Sequence, residues 1–287
     1  MAVRRFARSS IVLCTALAAC SGVERAPADT AHTAGTPQRI VSLNPTTTEL
    51  LFALGAGHRL VGRSRWDVFP DSAIQVPDVG DGLRPNVEQV LSVNPDLVIL
   101  YESIENVTAV DRLRAAGVQT LVLRVDLLQD LRRAFDTLGI LLGDTARARL
   151  VRDTVFASLD RVRTATRGLD RPTVFWHVWH SPIITIGSRS YLTELVDIAG
   201  GRNIYADLNV PSAPVALEDV VRRDPDFVLA GPTTADRIRS AAQWRSVRAV
   251  RDGRIAVFDT MLVGRPSVRV GEAARSLARL FHPGRIP

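Results

Sequence analysis

Residues 85–100 and 215–230 carry nearly the same string. The first reads Pro-Asn-Val-Glu-Gln-Val-Leu-Ser-Val-Asn-Pro-Asp-Leu-Val-Ile-Leu. The second reads Val-Ala-Leu-Glu-Asp-Val-Val-Arg-Arg-Asp-Pro-Asp-Phe-Val-Leu-Ala. In one register Glu88 falls on Glu218, Val90 on Val220, Pro95 on Pro225, Asp96 on Asp226 and Val98 on Val228, an offset of 130 residues throughout. A repeat of that length is a whole lobe rather than one turn of a solenoid. Two similar lobes leave a cleft between them, the usual place for a small ligand.

The pattern inside each half specifies the lobes. A short β-type run at 39–43 ends at Asn44-Pro45. Thr46-Thr47-Thr48-Glu49 then fits a capping box with Thr46 as N-cap, and Leu50, Leu51 and Leu54 give the helix an apolar face. Residues 60–62 read as a strand, 63–86 as loop, 87–93 as a helical turn or two capped by Asn86, 97–100 as a buried strand, 111–116 as helix and 118–123 as strand. This βαβα alternation predicts a parallel sheet covered by helices. Residues 129–167 read as helix interrupted only by Gly139 and Gly143, with a stripe of Leu150, Val151, Val155, Leu159 and Val162 after Asp144. In the second half, residues 174–178 read as a strand. Ile183-Ile184-Thr185-Ile186 echoes Ile40-Val41-Ser42-Leu43, and Thr193-Glu194-Leu195 echoes Thr48-Glu49-Leu50. Strands at 227–230 and 255–258 and a helix at 271–280 complete it.

The repeat is unequal. Glu49 to Glu88 is 39 residues and Glu194 to Glu218 is 24, so the first half carries 15 more. They fall mainly in the loop holding Trp66, Phe69, Asp81 and Arg84, and long loops in compact domains are often functional.

The N-terminus reads as a targeting segment. Arg4, Arg5 and Arg8 make a basic n-region, and residues 11–19 an apolar stretch too short to span a bilayer comfortably. Leu17-Ala18-Ala19-Cys20 resembles a bacterial lipobox, which implies cleavage before Cys20 and lipid on its sulfur; a plain signal peptide is the simpler alternative. Residues 20–38 are rich in Ala, Pro, Thr, Ser and Gly and read as a flexible tether. Without the three leader arginines, 33 basic residues face 30 acidic ones, scattered without a stripe, which argues against nucleic-acid binding. Cys14 would leave with the leader, so no disulfide is expected.

At this level the chain resembles a known family. Arg39-Ile-Val-Ser-Leu-Asn-Pro-Thr-Thr-Thr-Glu-Leu-Leu-Phe-Ala-Leu-Gly-Ala-Gly, Leu60-Val-Gly, Asn86-Val-Glu-Gln-Val-Leu, Asn94-Pro-Asp-Leu-Val-Ile, Ile198-Ala-Gly-Gly-Arg-Asn-Ile and Leu217-Glu-Asp-Val-Val-Arg-Arg-Asp-Pro-Asp are similar to the substrate-binding proteins of ABC importers for cobalamin and iron chelates. The resemblance runs over about residues 37–282. It implies an α/β fold of two Rossmann-like lobes joined by one long rigid helix, a ligand cleft between them and little hinge closure. The boundaries expected are a lipoprotein signal at 1–19, a tether at 20–38, an N-terminal lobe at 39–143, a connecting helix at 144–168 and a C-terminal lobe at 169–287.

The resemblance also implies roles. One glutamate on the outer surface of each lobe docks onto arginines of the transporter's membrane subunits, which assigns that role to Glu88 and Glu218; two charges at fixed separation orient an encounter. Carboxylates in a first helical turn also suit the helix dipole, and the two readings coexist. Trp66 is expected near the cleft, as are Trp179 and His180 on the loop entering it, with Trp capping of a lobe core as the competing reading. On a strand over 174–178, His177 and His180 would point to opposite faces and make no chelating pair unless the strand ends between them; His177 reads as a core or boundary residue. Arg265, after the last strand, suits a carboxylate or phosphate of the ligand or is a solvated loop arginine; Asn44 and Pro45 stand at the matching strand end of the first lobe. One departure is the loop 210–214, which lacks the aromatic that cobalamin-binding members often carry.

The function expected is a lipid-anchored protein of the bacterial cell envelope, on the periplasmic side. It would deliver a corrinoid, haem or ferric siderophore to an ABC importer, with no cofactor and no metal site of its own. A receptor for free zinc or manganese is the alternative, although His58, His177 and His180 are badly spaced for one site. An enzyme is the least favoured reading, because the sequence has no dinucleotide fingerprint, P-loop or nucleophile elbow.

Overall fold

The structure, a computed structural model, describes residues 35–286. The leader, Cys20 and most of the tether lie outside the described residues. The first lobe comprises β1 (Ile40–Ser42), α1 (Pro45–Ala53), β2 (Leu60–Arg63), α2 (Val87–Leu91), β3 (Leu97–Tyr101), α3 (Val107–Ala115) and β4 (Gln119–Leu123). Helices α4 (Leu128–Leu141) and α5 (Thr145–Ala165) follow. The second lobe comprises β5 (Thr173–Trp176), β6 (Ile184–Ile186), α6 (Tyr191–Ile198), β7 (Arg202–Asn203), β8 (Ser212–Pro214), α7 (Leu217–Arg223), β9 (Phe227–Ala230), α8 (Pro232–Ser240), α9 (Arg248–Arg251), β10 (Ile255–Val257), α10 (Thr260–Val263) and α11 (Val270–Phe281).

The two main sheets have the same topology. One runs β2-β1-β3-β4 and the other β7-β5-β9-β10, all parallel. The repeated string is the α2–β3 and α7–β9 unit, and its chemistry is structural. Asn94 (φ 47°) and Asp224 (φ 43°) take the left-handed conformation that ends each helix, one that short polar side chains tolerate best after glycine. The aspartate after each proline then reaches the neighbouring strand. Asp96 accepts from Gln38 N at 2.8 Å and Arg39 N at 3.1 Å, and Asp226 from Thr173 N at 2.8 Å. Each carboxylate thus pins the start of its own strand to the start of β1 or β5.

This equivalence corrects one expectation. The counterpart of β1 is β5, not β6. Residues 178–184 double back, with Val178 N bonding Ile184 O at 2.8 Å and Ile184 N bonding Trp179 O at 3.0 Å. β6 therefore leaves the parallel sheet and pairs antiparallel with β8. The likeness of 183–186 to 40–43 reflects β-branched composition, not position.

Two further expectations change. Helix α1 is capped by Asn44, not Thr46: Asn44 Oδ1 accepts from Thr46 N at 2.9 Å, and Pro45 takes the first position, where no N–H is needed. Glu49 closes no capping box. The region 129–167 is two helices, because only Gly143 (φ +75°) breaks the chain. Gly139 lies within α4, where a Cβ would stand 2.5 Å from that of Ala148, so it allows α5 to pack close. Of the expected α5 stripe, Val155, Leu159 and Val162 are buried, joined by Ala148, while Leu150 is exposed.

At 1.5 Å per residue the 21 residues of α5 extend about 31 Å. Its apolar face packs with α1, α4, α6 and α11 into one hydrophobic cluster that includes Leu50, Phe135, Leu159, Leu195 and Leu277 and runs through both lobes. Separate clusters cover the outer faces of the two sheets, one around Val98 and Leu113, the other around Phe175 and Trp244. Both parallel sheets are thereby buried on both faces, as such sheets require.

Candidate functional site

In open parallel sheets ligands sit beyond the carboxyl ends of the strands. A cavity of about 320 Å³ opens there in the first lobe, lined by Leu43, Asn44, Pro45, Ser64, Trp66, Gly82, Leu83 and Tyr101. A second of about 320 Å³ adjoins it. Asn44, Pro45 and Tyr101 are shared walls, and Thr46, Val125, Tyr191, Gly264, Arg265 and Pro266 complete it, so both lobes contribute. A larger hollow of about 510 Å³ lies under the second lobe, between Arg171, Asp226 and His282. It sits at the amino ends of β5 and β9, the wrong edge for a ligand site of this fold.

Local chemistry shapes the first cavity. Asp67 Oδ2 accepts from Ser64 N at 2.6 Å, and Asp67 N bonds Ser64 O at 3.1 Å. The tight turn throws Trp66 outward, where it is 57% exposed. Asp67 itself is fully buried, and its Oδ1 has no hydrogen-bond partner among the described residues. Burial pushes the Asp67 carboxyl up to about 7, against the pull of its Ser64 hydrogen bonds and the charges of Arg265 and Arg63. On the opposite wall Gly82 passes so near Leu43 that a Cβ would meet its carbonyl oxygen at 2.1 Å. Asn106 holds this segment by donating to Gly82 O and Tyr101 O.

The lobes meet at two arginines. Arg265 Nη1 crosses the cleft to Trp66 O at 3.2 Å. Four residues on, Arg269 grips Glu49 through two parallel bonds, Nε to Oε2 at 3.1 Å and Nη2 to Oε1 at 2.9 Å. Its guanidinium also stacks 3.8 Å from the Phe69 ring centroid and bonds Met261 O at 3.0 Å. Glu49 is 1% exposed. The equivalent Glu194 accepts from Leu128 N at 2.7 Å, at the start of α4. Burial raises its pKa.

The structure thus brings Trp66, Asn44, Pro45 and Arg265 together around adjoining cavities. Trp179 and His180 line neither. Trp179 is 61% exposed on the 178–184 hairpin, its Nε1 donating to Ser181 O at 3.1 Å. His180 stacks on His177, with ring centroids 6.3 Å apart. His177 is buried between Phe175 and Trp244, with both ring nitrogens unpartnered among the described residues. Burial, with His180 adding to it, pushes its pKa down to about 4, so the ring is neutral at ordinary pH. Glu88 and Glu218 are exposed in the first turns of α2 and α7. Glu88 meets Arg112 at 3.7 Å.

Two wall residues had no signal in the sequence. Tyr101 ends β3 and donates to Asp126 Oδ1 at 2.6 Å; Tyr191 opens α6 and donates to Val263 O at 2.7 Å. Burial raises the pKa of both phenols. Among the described residues no group of three or more His, Cys, Asp or Glu side chains could hold a metal ion.

Comparison with known proteins agrees with this architecture. A periplasmic binding protein family model matches residues 40–261. A protein of Halobacterium salinarum named cobalamin-binding protein is 31% identical over 263 residues, covering 86% of this chain and 70% of that protein. The apo structure of a periplasmic heme-binding protein from Roseiflexus sp. RS-1 superposes with a TM-score of 0.78 at 26% identity, covering 86% of this chain and 99% of that one. The periplasmic vitamin B12 binding protein of Vibrio cholerae superposes with a TM-score of 0.74 at 23% identity, covering 85% and 96%. The chain is a two-lobed α/β substrate-binding protein rather than an enzyme, and it belongs to the periplasmic binding protein family.

Proposed function

We propose that the chain captures a corrinoid of the cobalamin type in the interlobe cleft and presents it to an ABC importer. The observation that carries this is the chemistry of the cavity walls. The first cavity offers an exposed indole, Trp66, beside Leu43, Pro45 and Leu83, and both phenol groups of the two cavities are already bonded within the protein. Haem iron calls for an axial imidazole, thiolate, thioether or phenol from its protein. His177 and His180 stand outside both cavities, and the raised pKa of Tyr101 opposes the phenolate form. A corrinoid brings its own axial ligands and so needs none from the protein. The relative named cobalamin-binding protein supports the same choice.

Glu88 and Glu218 are the docking contacts for the membrane subunits in this reading, one on each lobe. Exposed pairs of this kind contribute roughly 0–1 kcal/mol each, so they orient more than they hold. Lipid on Cys20 keeps the protein at the membrane surface through the tether. Another relative, from Bacillus subtilis, is named as an ABC transporter substrate-binding lipoprotein.

Tryptophan quenching tests the ligand. Cyanocobalamin should quench saturably, and Trp66→Ala should weaken binding while Trp179→Ala leaves it within about threefold. A larger loss in Trp179→Ala than in Trp66→Ala would move the ligand to the hairpin and restore the haem reading through His180. Charge reversal of Glu88 and Glu218 together should abolish cellular uptake without changing affinity.

A further inference from the structure

Three residues with hydrogen-bond donors, Asn44, Thr46 and Arg265, stand among the walls of the second cavity. Asn44 is 7% exposed and lines both cavities. Its orientation is fixed, because only its carbonyl oxygen can accept from Thr46 N. Its Nδ2 therefore faces away from the cap and donates to no atom among the described residues. Thr46 is 4% exposed, lines the cavity and has a hydroxyl without a partner there. Arg265, from the other lobe, has no carboxylate within ion-pair distance among the described residues; its bonds go to Trp66 O at 3.2 Å and weakly to Met261 Sδ. Two helices of eight residues or more, α1 and α6, begin at this cavity, at Pro45 and Tyr191, and direct the positive ends of their dipoles toward it. The nearby Asp126 carboxylate is occupied by Tyr101 Oη and lies 3.8 Å from Arg124.

We propose that this cavity is an oxyanion subsite in which Asn44 Nδ2, Thr46 Oγ1 and the Arg265 guanidinium take a phosphate or carboxylate carried by the ligand. The proposal rests on the reading of the cleft as the ligand site. The neighbouring cavity, with Trp66 and Leu83, takes the apolar macrocycle. The shared wall of Asn44, Pro45 and Tyr101 sets the distance between ring and anion. Binding transfers one Arg265 bond from Trp66 O to the anion, so the strap across the cleft is exchanged rather than broken.

Two variants isolate the donors. Asn44→Asp keeps the cap acceptor and turns the donor into an anion, and Arg265→Gln removes the charge at similar length. Inorganic phosphate, compared with chloride at equal ionic strength, should raise the melting temperature of the full-length wild type. The rise should vanish in both variants, whose unliganded melting temperatures stay near wild type. No rise in the wild type, or an equal rise in the variants, overturns the subsite. A second comparison finds the source of the anion. Cyanocobalamin carries a phosphodiester and dicyanocobinamide lacks it, so the wild type should prefer the former by roughly tenfold to hundredfold. Both variants should bring that ratio to about one, losing far more affinity for cyanocobalamin than for dicyanocobinamide. Equal weakening of both probes would make these residues packing contacts only and overturn the proposal. If the wild type prefers haemin over its dimethyl ester and binds neither corrinoid, the corrinoid reading fails and the oxyanion is a propionate, with the phosphate result still deciding the subsite.

Discussion

Removing Arg269 should damage the protein far more than its place near a cleft rim implies. Glu49 and Arg269 are 220 residues apart in sequence and on opposite lobes, with side chains 0% and 16% exposed. Arg269→Met leaves the Glu49 carboxylate buried without a partner. Breaking such a pair from one side costs about 3–5 kcal/mol, mostly the desolvated charge left behind. The Phe69 stack and the Met261 carbonyl bond are lost with it. At about 2–4 °C per kcal/mol for a domain of this size, the melting temperature should fall roughly 6–20 °C. Urea unfolding of Arg269→Met, Glu49→Leu and the double variant completes the cycle. An apolar replacement of both partners often restores most of the loss, so the double variant should be more stable than Arg269→Met alone, with a coupling of at least about 2 kcal/mol. A loss under about 1 kcal/mol in Arg269→Met, or additivity of the single losses, would refute the reasoning. The bridge also matters for binding. Glu49 follows Asn44 by little more than one turn and Arg269 follows Arg265 by four residues, so the pair holds the two walls of the second cavity at a fixed separation.

Two buried titrating groups should tilt stability in opposite directions with pH. His177 has a folded pKa near 4 against an ordinary 6.5, so the unfolded chain binds more protons between those values. Its contribution is fully present above pH 6.5 and is lost as pH falls toward 4, by about 3 kcal/mol at most; His177→Phe should flatten that slope in urea titrations from pH 4 to 7. Asp67 has a folded value near 7 against 3.8. Its contribution is present below pH 3.8 and is lost as pH rises through 7, by up to about 4 kcal/mol. The difference between Asp67→Asn and wild type should therefore grow in the variant's favour from pH 4 to 8, and a pH-independent difference would contradict the burial of an unpaired carboxylate oxygen.

Much of the fold was legible from the repeat. It placed a helix and then a strand in each half, while the ties made by Asp96 and Asp226 and the left-handed turns at Asn94 and Asp224 emerged only from the structure. Local propensity failed where two signals overlapped. Asn44-Pro45 read as the end of the strand and Thr46-x-x-Glu49 as the helix start, but the helix begins at Pro45 with Asn44 as its cap. Residues 183–186 read as a copy of β1, but the hairpin before them reversed the chain. In the site, Trp66 and Arg265 were accessible to reasoning as a long-loop aromatic and a strand-end cation. Glu49 pairing with Arg269 was not, since nothing local links positions 220 residues apart, and Asn44 revealed its free donor only once its oxygen was seen to cap α1. Trp179 and His180 drew notice as a dense cluster, yet the register that would aim them at a cavity is set by the turn at Ser181-Pro182.

The central claim is that the cleft takes a corrinoid without supplying an axial ligand. Titrating the purified full-length protein with cyanocobalamin, while recording the corrin absorbance, tests both parts together. Saturable tryptophan quenching at one equivalent with an unshifted corrin spectrum, unchanged in His180→Ala, is the result expected. A spectrum that shifts as the axial ligand is displaced, and that reverts in His180→Ala, would contradict the account, as would the absence of any quenching in a folded protein.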